Sequence, residues 1–419
     1  MKIFALVDCN NFYASCERVF DPRLKERALV ILSNNDGCIV ARSNEAKSLG
    51  IPMGVPVFKQ KAVIKKHNVA VFSSNYQLYG DMSKRVMDSL GLFTPDMEVY
   101  SIDEAFLRLD YLQPRNLYEY CKTIREKVLQ WTGIPVSIGI GPTKVLAKIA
   151  NHVAKKQTDV GVFDIRCQQK QDNILKPLDV DKIWGIARGW SERLNNMGIY
   201  KASELRDASP PIIRKHLSVV GERILRELKG QSCIDLEAIQ PKKNIMSSKS
   251  FGKPLTKKEP IEEALSNYAA CACEKLRKQN SRAQAVHVFV QTNGFKETER
   301  QYNNAITHTL TIPTSDTRII IKAAKFCLSM IYKHGYRYKK TGIMLLDLIP
   351  ASLKQKQLFV NFDHNPGDDL MNIVDRVNKE QGPNTLFFGA QGVNREWKMR
   401  CGLRSPRYTT QWDELLTVR

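Results

Sequence analysis

The sequence predicts a multidomain protein of the α+β class. Its 419 residues correspond to about three domains at roughly 150 residues each. Hydrophobic residues make up 43% of the chain, which is enough to build buried cores. Segments with the two-residue period of strands are mixed with segments of helical period, and this order favours an α+β core.

The N-terminal part opens on a predicted strand. The segment Lys2–Val7 is predicted as a buried strand that ends at Asp8. Further on, Asn35-Asp36-Gly37 lies between the apolar stretches Ala28–Leu32 and Cys38–Ala41. Such a turn sequence between two apolar runs predicts a β-hairpin.

A strand pair and two helices follow. The segment Met97–Asp110 alternates like two strands that are interrupted at Ser101–Glu104. The next three elements are predicted as a helix, a strand and a helix, at Asn116–Trp131, Val136–Ile140 and Thr143–Lys156. Together these elements complete the predicted α+β core.

The stretch Pro177–Gly230 predicts short helices joined by small turns. Within it, Ile183–Ile186 and Met197–Ile199 are spaced as in a helix-hairpin-helix, which offers backbone N–H groups to a DNA phosphate. The candidate phosphate contacts are Gly185, Ile186 and Ala187. An ordinary turn between two helices explains the same spacing, so both interpretations stay open.

The polar stretch Gln231–Asn244 predicts a linker. Beyond it, the predicted order is βαββαβ, which is typical of a compact split-βαβ domain. These six elements are Ile245–Phe251, Ile261–Gln279, Gln284–Gln291, Ala305–Ile312, Ser315–Lys333 and Thr341–Ile349. The roughly 70 residues after Pro350 show weaker periodicity and are predicted as a tail.

The charge of the chain indicates its partner. Lys and Arg total 64 against 43 Asp and Glu, so the formal net charge is +21. Nucleic acid is the commonest partner of so basic a protein, and a membrane surface is the second candidate. The basic residues recur along most of the chain, which favours an extended face that binds a polyanion.

The sequence predicts a cytoplasmic protein without a membrane span. The apolar run Ile3–Val7 stops at Asp8, which is too short for a signal peptide or a spanning helix. The ten cysteines are scattered and form no C-x-x-C pair. Buried thiols in a reducing cytoplasm are therefore expected, in preference to zinc ligands or disulfides.

Three carboxylates are the candidate catalytic residues. Asp8 ends an apolar strand, and Asp103 and Glu104 interrupt two others. Carboxylates beside a hydrophobic core need a positive partner, and two Mg²⁺ ions about 3.5–4 Å apart would supply one and would serve phosphoryl transfer. Alternatively, Asp8 caps a helix that starts near Asn11, and the other two are turn residues. Spacing alone leaves both interpretations open.

Four motifs resemble those of the Y-family DNA polymerases. The segment Asp8–Glu17 resembles the opening motif of that family, and Tyr100–Phe106 resembles its second carboxylate motif. The segments Ser137–Gly141 and Thr143–Ala150 resemble its third conserved block.

Three further segments are similar to the UmuC type, the catalytic subunit of DNA polymerase V and its plasmid-borne relatives. They are Ser33–Cys38, Phe72–Tyr76 and Ser405–Thr410. The resemblance runs through essentially the whole chain in order.

The resemblance implies a right-hand polymerase fold of palm, small fingers, helical thumb and little finger. The implied palm comprises residues 1–10 and 77–165, and the fingers comprise 11–76. A thumb with the helix-hairpin-helix at 166–232, a linker at 233–244, a βαββαβ little finger at 245–350 and a C-terminal tail at 351–419 follow.

Site roles follow from the same resemblance. Asp8, Asp103 and Glu104 match the catalytic carboxylates that hold two Mg²⁺ ions, with the carbonyl of Cys9 as a further ligand. Phe12 matches the floor of the nucleotide pocket, and Tyr13 matches the steric gate that rejects a ribose 2′-hydroxyl. From its own residues alone, the sequence would place Tyr13 in a core.

Three polar residues match contacts to the nucleotide. Lys155 matches a triphosphate-binding lysine, although its position near a helix end also suits a partner of the helix dipole. Asn44 and Lys47 align with a finger segment that contacts the triphosphate. Many relatives have Tyr and Arg at these two positions, so Lys47 acts as a point charge and not as a bidentate fork.

The tail carries a candidate partner motif. Gln355, Leu358 and Phe359 form a Q-x-x-L-F peptide that resembles those docking into the bacterial sliding clamp, and a plain loop is the alternative. The resemblance also implies a UmuD′-type dimer and RecA as partners. Bases and aromatics interleave further on and predict a contact with DNA or protein, or a solvated surface, at Arg395, Trp397, Arg400, Arg404, Arg407, Tyr408 and Trp412.

The predicted function is error-prone translesion synthesis in SOS mutagenesis. The substrates are expected to be primer-template DNA and dNTP, and the enzyme is expected at the nucleoid when active. One alternative is a non-catalytic DNA-binding or checkpoint subunit at stalled forks, for which the basic surface and the clamp-like peptide would suffice. A two-metal nuclease is a further alternative.

Overall fold

The computed structural model describes residues 2–111, 116–237, 240–353, 366–393, 395 and 397–415. The chain forms two compact units. Unit 1 comprises Met1–Ser33, Gly37–Ala238 and Leu403–Arg419, and unit 2 comprises Asn34–Asp36 and Ile239–Gly402. The described part of the tail therefore belongs to both units.

Unit 1 contains eight strands and ten α-helices among its described residues. The strands are β1 (Phe4–Cys9), β2 (Leu29–Leu32), β3 (Ile39–Arg42), β4 (Ala70–Ser73), β5 (Met97–Val99), β6 (Glu104–Arg108), β7 (Val136–Gly141) and β8 (Val162–Asp164). The helices are α1 (Phe12–Phe20), α2 (Asn44–Ser48), α3 (Lys61–Lys66), α4 (Tyr76–Gly91), α5 (Leu117–Thr132), α6 (Lys144–Gln157), α7 (Gln168–Leu175), α8 (Arg188–Asn196), α9 (Ala202–Asp207) and α10 (Pro210–Leu228).

Two sheets organise unit 1. The larger has the order β5-β6-β1-β7-β8, with β1 antiparallel to both of its neighbours. The smaller has the order β3-β2-β4, and its β2–β3 pair is the predicted hairpin, closed by a 3₁₀ turn at Asn34–Asp36. The predictions for β1, β5, β6, α5, β7 and α6 are confirmed to within one or two residues, except that β1 and β6 extend through Asp8 and Glu104.

Alternate side chains of β1 face different layers, as the two-residue period of a strand requires. Ala5, Val7 and Cys9 join a core cluster that also contains residues of α1, α4 and α5. Phe4 and Leu6 point the other way and pack with Phe106 and with Ala147 of α6. The large sheet therefore has helices on both faces.

Helix α6 lies unusually close to β7. A Cβ atom at Gly139 would stand 2.0 Å from the backbone nitrogen of Asn151, and one at Gly141 would stand 2.7 Å from that of Ala147. Only glycine leaves room for a helix at this separation. The two glycines therefore set the distance between α6 and the sheet.

Unit 2 is built on a five-stranded antiparallel sheet, in which four strands are long and one short strand pairs beside them, with two long helices. Its elements are β9 (Ile245–Leu255), α11 (Lys258–Lys278), β10 (Ser281–Thr292), β11 (Asn303–Thr314), α12 (Thr317–Ile331), β12 (Tyr338–Leu346), β13 (Ile349–Pro350) and α13 (Pro366–Glu380). The strand order is β11-β10-β12-β9, so each βαβ pair is split by one antiparallel strand. The predicted βαββαβ domain is confirmed.

Part of the tail packs inside unit 2, which the sequence did not predict. Helix α13 was not predicted, and it is held by Arg277, which donates to both carboxylate oxygens of Asp375 at 2.6 and 2.8 Å. Trp397 was predicted as a surface contact, but it is only 5% exposed and packs edge-on against Tyr268. Of the aromatics in that stretch, Trp412 is exposed.

Candidate active site

Strand pairing brings the predicted carboxylates together. In the antiparallel register of β1 and β6, Asp8 stands directly opposite Glu104. The backbone N–H of Cys9 donates to the carbonyl of Asp103 at 2.8 Å, which fixes the loop before β6 against the end of β1. The three carboxylates therefore lie at one end of the large sheet.

The loop before β6 is organised around the hydroxyl of Ser101. The Ser101 hydroxyl accepts from the backbone N–H groups of Asp103 and Glu104 at 3.2 and 3.0 Å, and it donates to a carboxylate oxygen of Asp103 at 2.6 Å. Asp8 lies within β1, and the N-cap of α1 is Asn11, at a φ of 47°. Of the alternative in which Asp8 caps a helix and Asp103 and Glu104 are turn residues, the parts on Asp8 and Glu104 are therefore wrong, while Asp103 does lie in the bend before β6.

Two lysines of α6 neutralise two of the carboxylates. Lys155 forms an ion pair with Oδ2 of Asp8, and Lys148 pairs with Glu104 at 3.0 Å. Burial raises the pKa of Asp8 to about 7, the adjacent Lys155 opposes this rise, and the charges of Glu104 and Asp103 add to it. Lys155 was predicted as a site residue and Lys148 was not, although Lys148 lies seven residues before Lys155 and so on a similar side of the same helix.

The carboxylate cluster suits a divalent cation. Oδ1 of Asp8 is buried and has no hydrogen-bond partner among the described residues. Hard oxygen donors of this kind are the ligands that Mg²⁺ prefers. Within the described ranges, no three His, Cys, Asp or Glu side chains are already converged on one point as ligands. The negative charge of the carboxylates and the unsatisfied Oδ1 of Asp8 thus fit a divalent cation. In this structure Lys155 and Lys148 supply the positive charge beside Asp8 and Glu104.

An open cleft of about 440 Å³ is lined by the predicted nucleotide residues Phe12, Tyr13, Lys47 and Lys155 but not by Asn44. Tyr13 is half-buried in its wall, and its ring stacks on that of Tyr79 at 4.5 Å and 15°. Phe12 is 4% exposed, so it is the more deeply buried of the two adjacent aromatics. This cleft, called the active-site cleft below, is lined by Asp8, Cys9, Asn11, Phe12, Tyr13, Val40, Ala41, Arg42, Lys47, Met53, Ile102, Asp103 and Lys155.

Lys47 reaches this cleft through a small polar network. Its Nζ donates to the side-chain oxygens of Asn11 and Asn44 at 2.5 and 3.0 Å. Burial and the charges of Arg42 and Lys155 lower the pKa of Lys47. Asn44 contacts the wall of the cleft through Lys47 and Asn11. Arg42 was not named as a site residue, although it lies in the same finger motif.

The predicted phosphate turn lies before α8. Gly185 has a φ of 93°, Ile186 is buried, and Ala187 is the N-cap of α8 without a side-chain cap. The element before the turn is a single 3₁₀ turn at Val180–Lys182 and not a full helix. Phosphate binding there stays a prediction. The clamp peptide at Gln355, Leu358 and Phe359 lies outside the described residues.

Sequence comparisons place these residues in a family. Residues 7–152 match the impB/mucB/samB family, residues 242–358 match the C-terminal domain of that family, and residues 368–418 match a domain of unknown function. The chain is 45% identical to the protein UmuC of Salmonella typhimurium over 100% of both chains. It is 42% identical to the protein SamB of Salmonella typhimurium over 99% of both.

Solved structures of similar fold complete the comparison. A Y-family DNA polymerase chimera of Dbh and Dpo4 superposes with a TM-score of 0.66 at 22% identity, covering 83% of this chain and 99% of the chimera. The chain is a Y-family DNA polymerase of the UmuC type. An insertion ternary complex of Dbh DNA polymerase superposes on this polymerase with a TM-score of 0.55 at 21% identity, over 83% and 99% of the two chains.

The predicted family, fold class and activity are confirmed. The polymerase is an error-prone, DNA-directed enzyme that copies past damaged template bases in the SOS response, and its substrates are DNA and nucleotides. Enzymes of this family use divalent metal ions. The alternatives of a non-catalytic subunit and of a nuclease are set aside. Among the residues described, no helix has the length and apolarity to cross a membrane.

Proposed function

We propose that the polymerase joins a dNTP to a primer 3′-hydroxyl in the active-site cleft, with Asp8, Asp103, Glu104 and the carbonyl of Cys9 holding two Mg²⁺ ions. The unsatisfied Oδ1 of Asp8, beside two further carboxylates at one sheet end, carries this proposal. Bound there, such ions lower the pKa of the 3′-hydroxyl and balance the charge of the triphosphate.

The cations around the cleft are proposed to bind the triphosphate. Lys155 is paired with Asp8, a proposed metal ligand, so we infer that it turns to the triphosphate when substrate binds. Lys47 lines the same cleft and is proposed to act as a second point charge. Asn44 is proposed to act through Lys47, because its side-chain oxygen holds the Lys47 ammonium group.

The aromatic pair at the start of α1 is proposed to select the sugar. Phe12 is buried and forms the floor of the cleft, while Tyr13 is half-buried and borders its open space. A ring in that position would collide with a 2′-hydroxyl and admit a 2′-deoxyribose. Packing between Tyr13 and Tyr79 limits how far the ring can retreat.

DNA is proposed to bind the basic surface of the protein. The palm, fingers and thumb assigned from the sequence are proposed to correspond to unit 1, and the little finger to unit 2. The uncapped start of α8 at Gly185, Ile186 and Ala187 is proposed to contact a backbone phosphate. The net charge of +21 supports binding to a polyanion.

Protein partners are proposed on the basis of the family. We propose that Gln355, Leu358 and Phe359 dock into the sliding clamp, and that a UmuD′-type dimer and RecA activate the polymerase. The proposed docking into the sliding clamp is supported by the Q-x-x-L-F pattern in the sequence. Omitting each partner in turn from a primer-extension reaction measures its contribution.

The metal-site proposal is tested with Asp103→Asn in primer extension opposite an abasic site, with clamp, UmuD′ and RecA supplied. The variant keeps the shape of the side chain and loses its charge, so we expect extension to disappear while DNA binding persists. Asp110→Asn is the matched control, since Asp110 pairs with Arg108 at the far end of β6. Full activity in Asp103→Asn would refute the assignment.

The sugar-gate proposal is tested with Tyr13→Ala. Removing the ring opens the cleft beneath the sugar, so the variant should incorporate ribonucleotides much more readily than the parent enzyme. The measured quantity is the ratio of kcat/KM for a dNTP to kcat/KM for the matching ribonucleotide. A ratio equal to that of the parent enzyme would remove Tyr13 from this role.

A further inference from the structure

The last described residues of unit 1 form an anchored segment. This C-terminal segment, residues 403–415, exchanges hydrogen bonds with Ser73 through the backbone of Leu403, at 3.0 Å in both directions. The ring of Tyr408 stacks on Phe20 of α1 at 4.7 Å. The segment thus bridges the end of β4 and the outer end of α1.

Ser405 is the most enclosed polar contact of this segment. The side-chain amide of Asn75 donates to the Ser405 hydroxyl at 3.0 Å and to the carbonyls of Ser405 and Pro406 at 3.1 Å each. Asn75 is 1% exposed and also caps α4, because its Oδ1 accepts from the N–H of Leu78. The position of Ser405 is therefore fixed relative to the start of α4.

The hydroxyl of Ser405 reaches a buried carboxyl group. It donates to Oε1 of Glu17 at 3.0 Å, and the hydroxyl of Tyr79 donates to the same oxygen at 2.6 Å. Glu17 is 2% exposed and Tyr79 is fully buried. A buried acceptor of this kind needs both donors, because losing one leaves part of its desolvation cost uncompensated.

Tyr79 connects this carboxyl group to the active-site cleft. Its ring stacks on Tyr13 at 4.5 Å with the planes 15° apart. Tyr13 and Glu17 are four residues apart on α1 and so share one helix face. An unbroken chain of contacts therefore runs from Ser405 through Glu17 and Tyr79 to Tyr13.

We propose that Ser405 is a positioning residue for sugar selection, which holds Tyr79 through Glu17 and thereby keeps Tyr13 from retreating under a ribose. This inference rests on the proposed gate role of Tyr13. A gate rejects the 2′-hydroxyl only while its ring cannot give way, so the rigidity of its backing sets the degree of discrimination. The matched domain of unknown function, at residues 368–418, thereby gains one defined role.

The test compares full-length Ser405→Ala with the parent enzyme in single-nucleotide incorporation, with all partners supplied equally. The readout is kcat/KM for dATP divided by kcat/KM for ATP opposite a template thymine. Losing one hydrogen bond to a buried carboxyl group should lower this ratio about three- to tenfold. The change should arise from a higher kcat/KM for ATP.

Two further variants separate positioning from general loosening. Glu414→Gln disturbs the ion pair between Arg407 and Glu414 in the same segment and leaves the contacts of Glu17 intact, so its ratio should match that of the parent. Tyr79→Phe removes only the hydroxyl. Tyr79→Phe and Ser405→Ala each remove a donor to the same oxygen of Glu17. The loss of sugar discrimination in the double variant should therefore be smaller than the product of the two single losses.

Each outcome bears on the inference. If Tyr13→Ala retains discrimination, the gate proposal fails and the inference fails with it. If Tyr13→Ala loses discrimination while Ser405→Ala matches the parent, only the inference is overturned. Equal losses in Ser405→Ala and Glu414→Gln would also overturn it, since they would indicate a loosened segment and not a specific link through Glu17.

Discussion

Replacing Gly139 by alanine is expected to displace α6 from the sheet. The added Cβ atom would lie 2.0 Å from the nitrogen of Asn151 and 2.4 Å from the carbonyl oxygen of Ala147. Ordinary contact begins at 3.4 Å, so the helix or the strand must move by about 1.4 Å, the difference between 3.4 and 2.0. Both obstructing atoms are backbone, so no side-chain rotation relieves them.

The expected cost follows from that displacement. Overpacking of this kind destabilises by about 3 kcal/mol, the upper part of the usual range. Because Lys148 and Lys155 lie on α6, the same movement shifts them away from Glu104 and Asp8. A misplacement of about 1 Å near reacting groups lowers the rate by about 100-fold.

The assay measures thermal unfolding by circular dichroism and primer extension on the same samples. The matched control is Gly80→Ala, at an exposed position of α4 where no atom beyond the adjacent residues and backbone of the helix itself lies within 4 Å of the added Cβ. It should stabilise by about 0.5–1 kcal/mol, since alanine is the better helix former. If Gly139→Ala unfolds and polymerises like the parent enzyme, the inferred close approach is wrong.

Three further predictions use other parts of the molecule. Burial raises the pKa of Glu17, so ionising this buried carboxyl group destabilises the fold increasingly as the pH rises above the pKa that Glu17 has in the unfolded chain. The unfolding free energy of Glu17→Gln, taken relative to that of the parent, should therefore increase from pH 5 to pH 8. A difference that does not change with pH would contradict this. Arg277→Lys cannot keep the two-point contact with Asp375, so amide exchange in α13 should accelerate while α11 stays protected. Primer-template affinity should fall steeply with salt, and a flat response would argue against a charged DNA interface.

Local patterns predicted the elements whose formation depends on local sequence. A short apolar run predicted β1, the alternation of Met97–Asp110 predicted β5 and β6, and helical periodicity predicted α5 and α6. The hairpin at Asn35–Gly37 followed from turn chemistry. These features are encoded within a few residues, so one sequence suffices to find them.

The site depended on information that local patterns lack. Asp8 and Glu104 become neighbours only through the register of β1 and β6, which spacing cannot supply. The motif resemblance identified Asp8 and Glu104 but gave no role to Lys148. The ion pair between Lys148 and Glu104 depends on how closely α6 lies to the sheet, which the motifs do not reveal. Trp397 was misplaced because its burial depends on docking to α11, far away in the sequence.

The alternation along β1 also ties the register of the strand to the position of Asp8. Asp8 follows Phe4 and Leu6 on one face, while Val7 and Cys9 occupy the apolar cluster on the other. A slip of one residue would exchange the faces and drive a carboxylate into that cluster. A single-residue insertion in this strand should therefore destabilise the fold as well as abolish polymerisation, so the loss of activity and the loss of stability should appear together.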